Sequence, residues 1–114
     1  MKESFTSYPN LCSELVSIAR RHAEEIIGNL EAIGEWTALI LTEVPLGRGA
    51  EIRIKTDKGN ILNGIVESCR LDELLGWSNQ VHLMPASRWS SQRFEPKHLL
   101  SLGALSAAEM PKSA

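Results

Sequence analysis

The chain has little with which to cross-link itself or to hold a metal. Its 114 residues include only two cysteines, Cys12 and Cys69. Neither lies in a Cys-x-x-Cys pair or beside a histidine at metal-ligand spacing, so both read as small buried hydrophobes. An excess of one charge is also missing. Twelve basic against 14 acidic side chains leave a net charge of −2, which provides no global field to attract a polyanion. No basic-plus-apolar leader opens the sequence, and no apolar run approaches the ~20 residues that span a bilayer. A cytoplasmic protein is the expectation. Internal repeats are absent.

Catalytic groupings are equally scarce. His22, His82 and His98 are far apart in the chain, whereas nucleophilic catalysis needs a nucleophile, a base and an orienting group within mutual reach. Asp72 and Glu73 are adjacent, so their carboxylates diverge rather than work as a pair. Gly47-Arg48-Gly49 lacks the Lys-Ser/Thr of a phosphate loop and reads as a tight turn. No enzyme, cofactor or metal site is expected.

What the sequence does contain is alternation. Ala50, Ile52 and Ile54 alternate with Glu51, Arg53 and Lys55; Trp77, Val81 and Leu83 alternate with Ser78, Gln80 and His82. A period of two puts one row in a core and the other in water. Strands are expected at Trp36–Val44, Ala50–Thr56, Asn60–Cys69 and Trp77–Met84. The Pro45–Gly49 turn separates the first two, an Asp57–Asn60 hairpin turn with Gly59 at positive φ the next two, and a polar loop, Arg70–Gly76, the last two. With 43% hydrophobic residues, one soluble domain is implied. Four strands are too few to close a barrel, so a helix, a partner chain or a further strand must cover the rest.

The segment before these strands reads as a helix. Between Asn10 and Ile33 the residues Leu11, Leu15, Ile18, Ile26, Leu30 and Ile33 recur at three- and four-residue steps, and Ala19, Ala23 and Ile27 widen the stripe. Glu14, Arg21, Glu24, Glu25 and Glu31 fall on the other face. Pro9 suits the helix start and Gly34 its end, while Gly28 weakens it by about 1 kcal/mol relative to alanine. A stripe of this length outruns a small barrel. Leu11, Leu15, Ile18, Ile26 and Leu30 are therefore expected to mediate contacts with a protein partner and with a second copy of the chain.

Past Pro85, the loop Ala86–Glu95 carries Arg88, Trp89, Arg93 and Phe94. Arginines beside aromatics stack on bases and clamp phosphates, so Arg88, Trp89 and Arg93 are candidate ligand-binding residues. The alternative is that Trp89 and Phe94 plug the barrel end while the arginines are solvated. A small-barrel nucleic-acid binder working through Arg53 and Lys55 is a further reading, with Glu51 and the net charge against it. Arg20-Arg21 diverge on a helix. Pro96 is expected to start a short C-terminal helix, docked by Leu99, Leu100 and Leu102.

The strand series at Trp36–Leu83 resembles the PilZ domain, a small barrel that binds cyclic di-GMP. The resemblance is carried by Ala38-Leu39-Ile40-Leu41, Val44-Pro45-Leu46, Gly49 with Glu51-Ile52-Arg53-Ile54, and Gly64-Ile65-Val66. The segments Ser87–Ser90 and Phe94–Leu100 look like the end of PilZ-like proteins of environmental bacteria. Two arginines four residues apart and an Asp-x-Ser-x-x-Gly motif, which anchor the dinucleotide in that family, do not occur here. The resemblance thus implies the fold without cyclic di-GMP binding. The expected fold is mainly β with a long N-terminal α-helix: a small antiparallel PilZ-like β-barrel plus a short C-terminal helix. Residues 1–8 are expected to be a flexible N-terminus, 9–34 the amphipathic helix, 35–102 the barrel with its terminal helix, and 103–114 a flexible tail. The expected role is that of a non-enzymatic signalling or adaptor domain, with a nucleotide receptor of non-standard site as the alternative.

Overall fold

The structure is a computed structural model that describes residues 10–101. It contains strands β1 (Asn10–Arg20), β2 (Ile26–Ile33), β3 (Thr37–Thr42), β4 (Glu51–Lys55), β5 (Ile61–Asp72), β6 (Gly76–Leu83) and β7 (Leu100–Ser101), and a single 3₁₀ turn at Pro85–Ser87. All pairings are antiparallel. The order β2-β3-β6-β5-β4-β1 returns to its start because β1 also pairs with β2. Six strands therefore close a barrel, and β7 adds a short pairing to the start of β1, Asn10 opposite Ser101.

No long N-terminal helix forms. The segment 10–33 is a hairpin, with Val16 opposite Gly28 and Ile18 opposite Ile26. Along β1 the inward row is Glu14, Val16, Ile18 and Arg20, while Leu11 and Leu15 face outward. The three- and four-residue spacing thus joins residues that the strand sends to opposite faces. Ile18 and Leu30 are fully buried and Ile26 packs against the core, so none of the three is free for a partner. Self-association through a helical stripe is ruled out with the helix. The turn Arg21–Glu25 contains no glycine or proline; His22 takes the left-handed conformation (φ 61°) instead. Gly28, far from weakening a helix, faces the barrel interior. A Cβ there would stand 2.8 Å from Ile18 Cδ1 and 3.0 Å from the Leu41 carbonyl oxygen.

The core is the sum of the inward rows, which include Leu30, Ile33, Ala38, Ile40, Ile52, Ile54, Leu62, Val66, Val81 and Leu83. The strands read from alternation are present, and the Asp57–Asn60 turn carries Gly59 at φ 91°. The segment 70–76 differs from a loop. β5 runs on to Asp72 and β6 begins at Gly76, with Leu71 opposite Trp77. A tight turn remains, in which Asp72 Oδ1 accepts the N–H groups of Leu74 and Leu75 at 2.9 and 3.0 Å.

Both barrel ends are closed by side chains. At the end where β1 finishes, Leu46 is buried and its N–H donates to Asn79 Oδ1 at 3.4 Å. Asn79, wholly buried on β6, donates in turn to Thr42 Oγ1 (2.9 Å) and the Ile40 carbonyl (3.1 Å). At the other end Trp89 is buried, its indole N–H donates to the Phe94 carbonyl at 3.1 Å, and the two rings meet edge to face at 6.5 Å. No C-terminal helix starts at Pro96. Residues 97–101 instead run beside β1, where the Lys97 N–H donates to the buried Glu14 Oε1 (2.8 Å) and Ser13 N–H to the Lys97 carbonyl (3.0 Å). Leu102, the N-terminal residues 1–8 and the tail 103–114 lie outside the described residues. Among the described residues no helix is long and apolar enough to cross a membrane.

Candidate interaction surface

The outer face of the barrel is apolar on one side. Leu15 on β1 and Ile27 on β2 are 69% and 62% exposed, and Ser17 opposite Ile27 sets the two on neighbouring strands within diagonal reach. Leu41 continues the row on β3, opposite Asn29. Val44 follows it in the next loop, and Leu75 reaches across from the β5–β6 turn with 63% of its surface exposed. An open groove of about 580 Å³ runs between these five side chains, with Glu43 on its rim. A second concavity of about 500 Å³ shares Leu15 and Ile27 and carries Glu25. Leu71 and Leu74 extend the exposed apolar surface at the hairpin tip. Soluble domains seldom leave so many large apolar residues together in water unless they bind something.

Of these groove residues only Leu15 is among the contacts expected from the sequence. Ile27 lies on the expected helical stripe, while Leu41, Val44 and Leu75 fall on β3, the loop after it and the β5–β6 turn, and only the closed barrel brings them beside β1 and β2.

The residues singled out near the C-terminus fall together in one loop, where their polar groups bond to the protein itself. Arg93 donates to the carbonyls of Ala86 (3.0 Å), Arg88 (3.1 Å) and Ile61 (3.3 Å). Arg88 pairs with Glu35 and lies 5.6 Å over the Trp36 ring. Trp89 is the plug described above. Arg53 and Lys55 are exposed on β4, and Arg53 Nε donates to Asn63 Oδ1 at 3.3 Å.

The remaining titratable groups are dispersed. His22 lies in the β1–β2 turn, His98 beside β1, and His82 on β6 with its Nδ1 3.7 Å from Glu67. Among the described residues no three His, Cys, Asp or Glu side chains gather as metal ligands would. Cys12 is half-buried and its thiol donates to the Leu30 carbonyl at 3.5 Å. Burial first, and then the carboxylates of Glu14 and Glu31, push its pKa up to about 12. At the β4–β5 turn Lys97 Nζ meets Asp57 at 2.9 Å; that hydrogen bond holds the carboxyl below its ordinary value and the ammonium above it. Compared with known proteins, the chain matches no family model, no curated protein and no solved structure, so the PilZ resemblance gains no support from relatives.

Proposed function

We propose that the barrel is a non-enzymatic adaptor domain of the cytoplasm that holds a protein partner in the apolar groove of Leu15, Ile27, Leu41, Val44 and Leu75. The observation that carries this reading is the groove itself, an outward apolar row spanning three neighbouring strands and the facing hairpin. The rim supplies specificity. Glu43 sits on the rim, and Glu25 and Asp57 outnumber Lys55 in the neighbouring concavity, so the border is acidic on balance and suits a partner segment with apolar side chains between basic ones. Apolar burial supplies the affinity, at roughly 25 cal/mol per Å² of surface removed from water.

Photo-crosslinking tests it. A photoreactive residue placed at Ile27 or Leu75 in the protein's own cell background is expected to give one discrete adduct. Its cross-linked peptide, sequenced by mass spectrometry, should be apolar with flanking Lys or Arg, and the adduct should vanish in Leu15→Glu/Val44→Glu. No adduct at either position, or the same adduct from the exposed Gln92 in the loop at the other end of the barrel, refutes the reading.

A further inference from the structure

We propose that the end of the barrel where β1 finishes binds the phosphate group of a small molecule through Arg20, Arg21 and Arg53. Arg20 is the unusual residue. It is the last residue of β1 and ends the strand's inward row, opposite the buried Ile52. Its Nε–H is buried and has no hydrogen-bond partner, the one such side-chain atom among the described residues. Its one side-chain hydrogen bond among the described residues, Nη2 to the Glu24 carbonyl, is long at 3.5 Å. Buried donors are satisfied in folded proteins, and one that is not calls for an acceptor from outside the chain.

The surroundings favour an anion as that acceptor. Arg20 and Arg21 line a concavity of about 220 Å³ together with Arg53, Asn63 and Glu51. Arg21 and Arg53 make no ion pair among the described residues. Three guanidinium groups against one carboxylate leave a local charge of +2 (3 − 1) in a protein whose net charge is −2. Planar guanidinium forks match the oxygens of a phosphate two at a time. Among the described residues only Nε of Arg53 is used, on Asn63, which leaves its terminal nitrogens available. The ligand is small rather than polymeric: the patch is confined to three arginines, and Glu24 and Glu25 follow in the adjoining turn, so a nucleic-acid backbone leaving the site would meet acidic groups.

The test follows the Arg20 Nε–H resonance of the full chain by ¹⁵N NMR during titration with inorganic phosphate and with glycerol 3-phosphate, each against sodium chloride at matched ionic strength. A saturable shift of that resonance, and of the Arg21 and Arg53 amides, is expected with both phosphates and not with chloride. Arg21→Ala, a surface change that leaves the barrel folded, should weaken binding about tenfold by removing one charge-assisted contact. Arg20→Gln should abolish the saturable shift at the Arg53 amide. Shifts that follow ionic strength alone, or that are unchanged in Arg21→Ala, overturn the proposal. So does an oligothymidine that binds more tightly than the monoester and moves Lys55 and Lys58 as well, which would make the surface a nucleic-acid face.

Discussion

Cys12 and Asn79 show what single positions contribute in a barrel of this size. Asn79 occupies an inward slot between Trp77 and Val81, where its amide joins β6 to β3 and to the Leu46 loop. Its burial is tolerated because every polar atom has a partner. Cys12 is held as a neutral thiol. With a pKa near 12 against an ordinary 9.0, it carries about a thousandfold less thiolate at pH 8 than an unperturbed cysteine. Maleimide labelling resolved by mass spectrometry should therefore modify Cys12 very slowly at pH 8 in the folded protein and rapidly in urea. Equal rates in the two states would contradict the burial. The sign of the linked stability follows. Below pH 9 the thiol is protonated in both states and contributes no pH dependence. Between about 9 and 12 the unfolded chain gives up a proton that the barrel retains, so stability falls as pH rises through that window.

The β1–β2 hairpin is the element that most sharply separates strand from helix. On a helical stripe Leu15 and Ile18 would be equivalent; on β1 they face opposite ways. Ile18→Glu should unfold the domain, because it buries a charge with no partner. Leu15→Glu should leave the thermal transition within a few degrees of the wild type. Circular dichroism melts of both variants check this, and a similar response from the two would restore the helix. The strands from 37 to 83 were legible because glycine-bearing turns bracket them and Glu51–Lys55 alternates cleanly by polarity, even though Asn79 faces inward and Ile65 outward. The hairpin before them was not. Glu14 and Arg20 stand in its inward row while Leu11 and Leu15 stand outside, so polarity and orientation disagree along the strand. The turn that should have marked it is built on His22 in a conformation usually left to glycine or asparagine. The candidate groove was illegible because its residues come from β1, β2, β3 and two separate turns and meet only once the barrel closes. Charge pattern drew notice to Arg20 and Arg21, yet their role depends on a strand end that the sequence does not reveal.

At the scale of the molecule, the two plugs decide how well the barrel is sealed. Trp89 fills the end opposite Leu46 and is fixed through its backbone N–H on the Glu35 carbonyl at 2.9 Å. Trp89→Ala should cost about 3–5 kcal/mol in urea unfolding, the range for removing a buried aromatic. Arg88→Ala, which loses an exposed ion pair with Glu35, should cost no more than about 1 kcal/mol. If the neighbouring pair proved equally costly, Trp89 would not be the plug.

The strand order divides the chain into two successive meanders, β1-β2-β3 and β4-β5-β6, joined by the loop 43–50 and sealed along two seams, β1 with β4 and β3 with β6. Within each meander the pairings are between chain neighbours and close quickly. Across the seams they join residues more than 30 positions apart, as Ile18 with Ile54 and Ala38 with Val81, and such closures are the slow ones. Until both seams close, each half exposes its apolar face and two unpaired edges. The halves are thus mutual templates. Neither is a viable product of partial synthesis or proteolysis, and any change that delays one seam lengthens the time the whole chain spends open to aggregation.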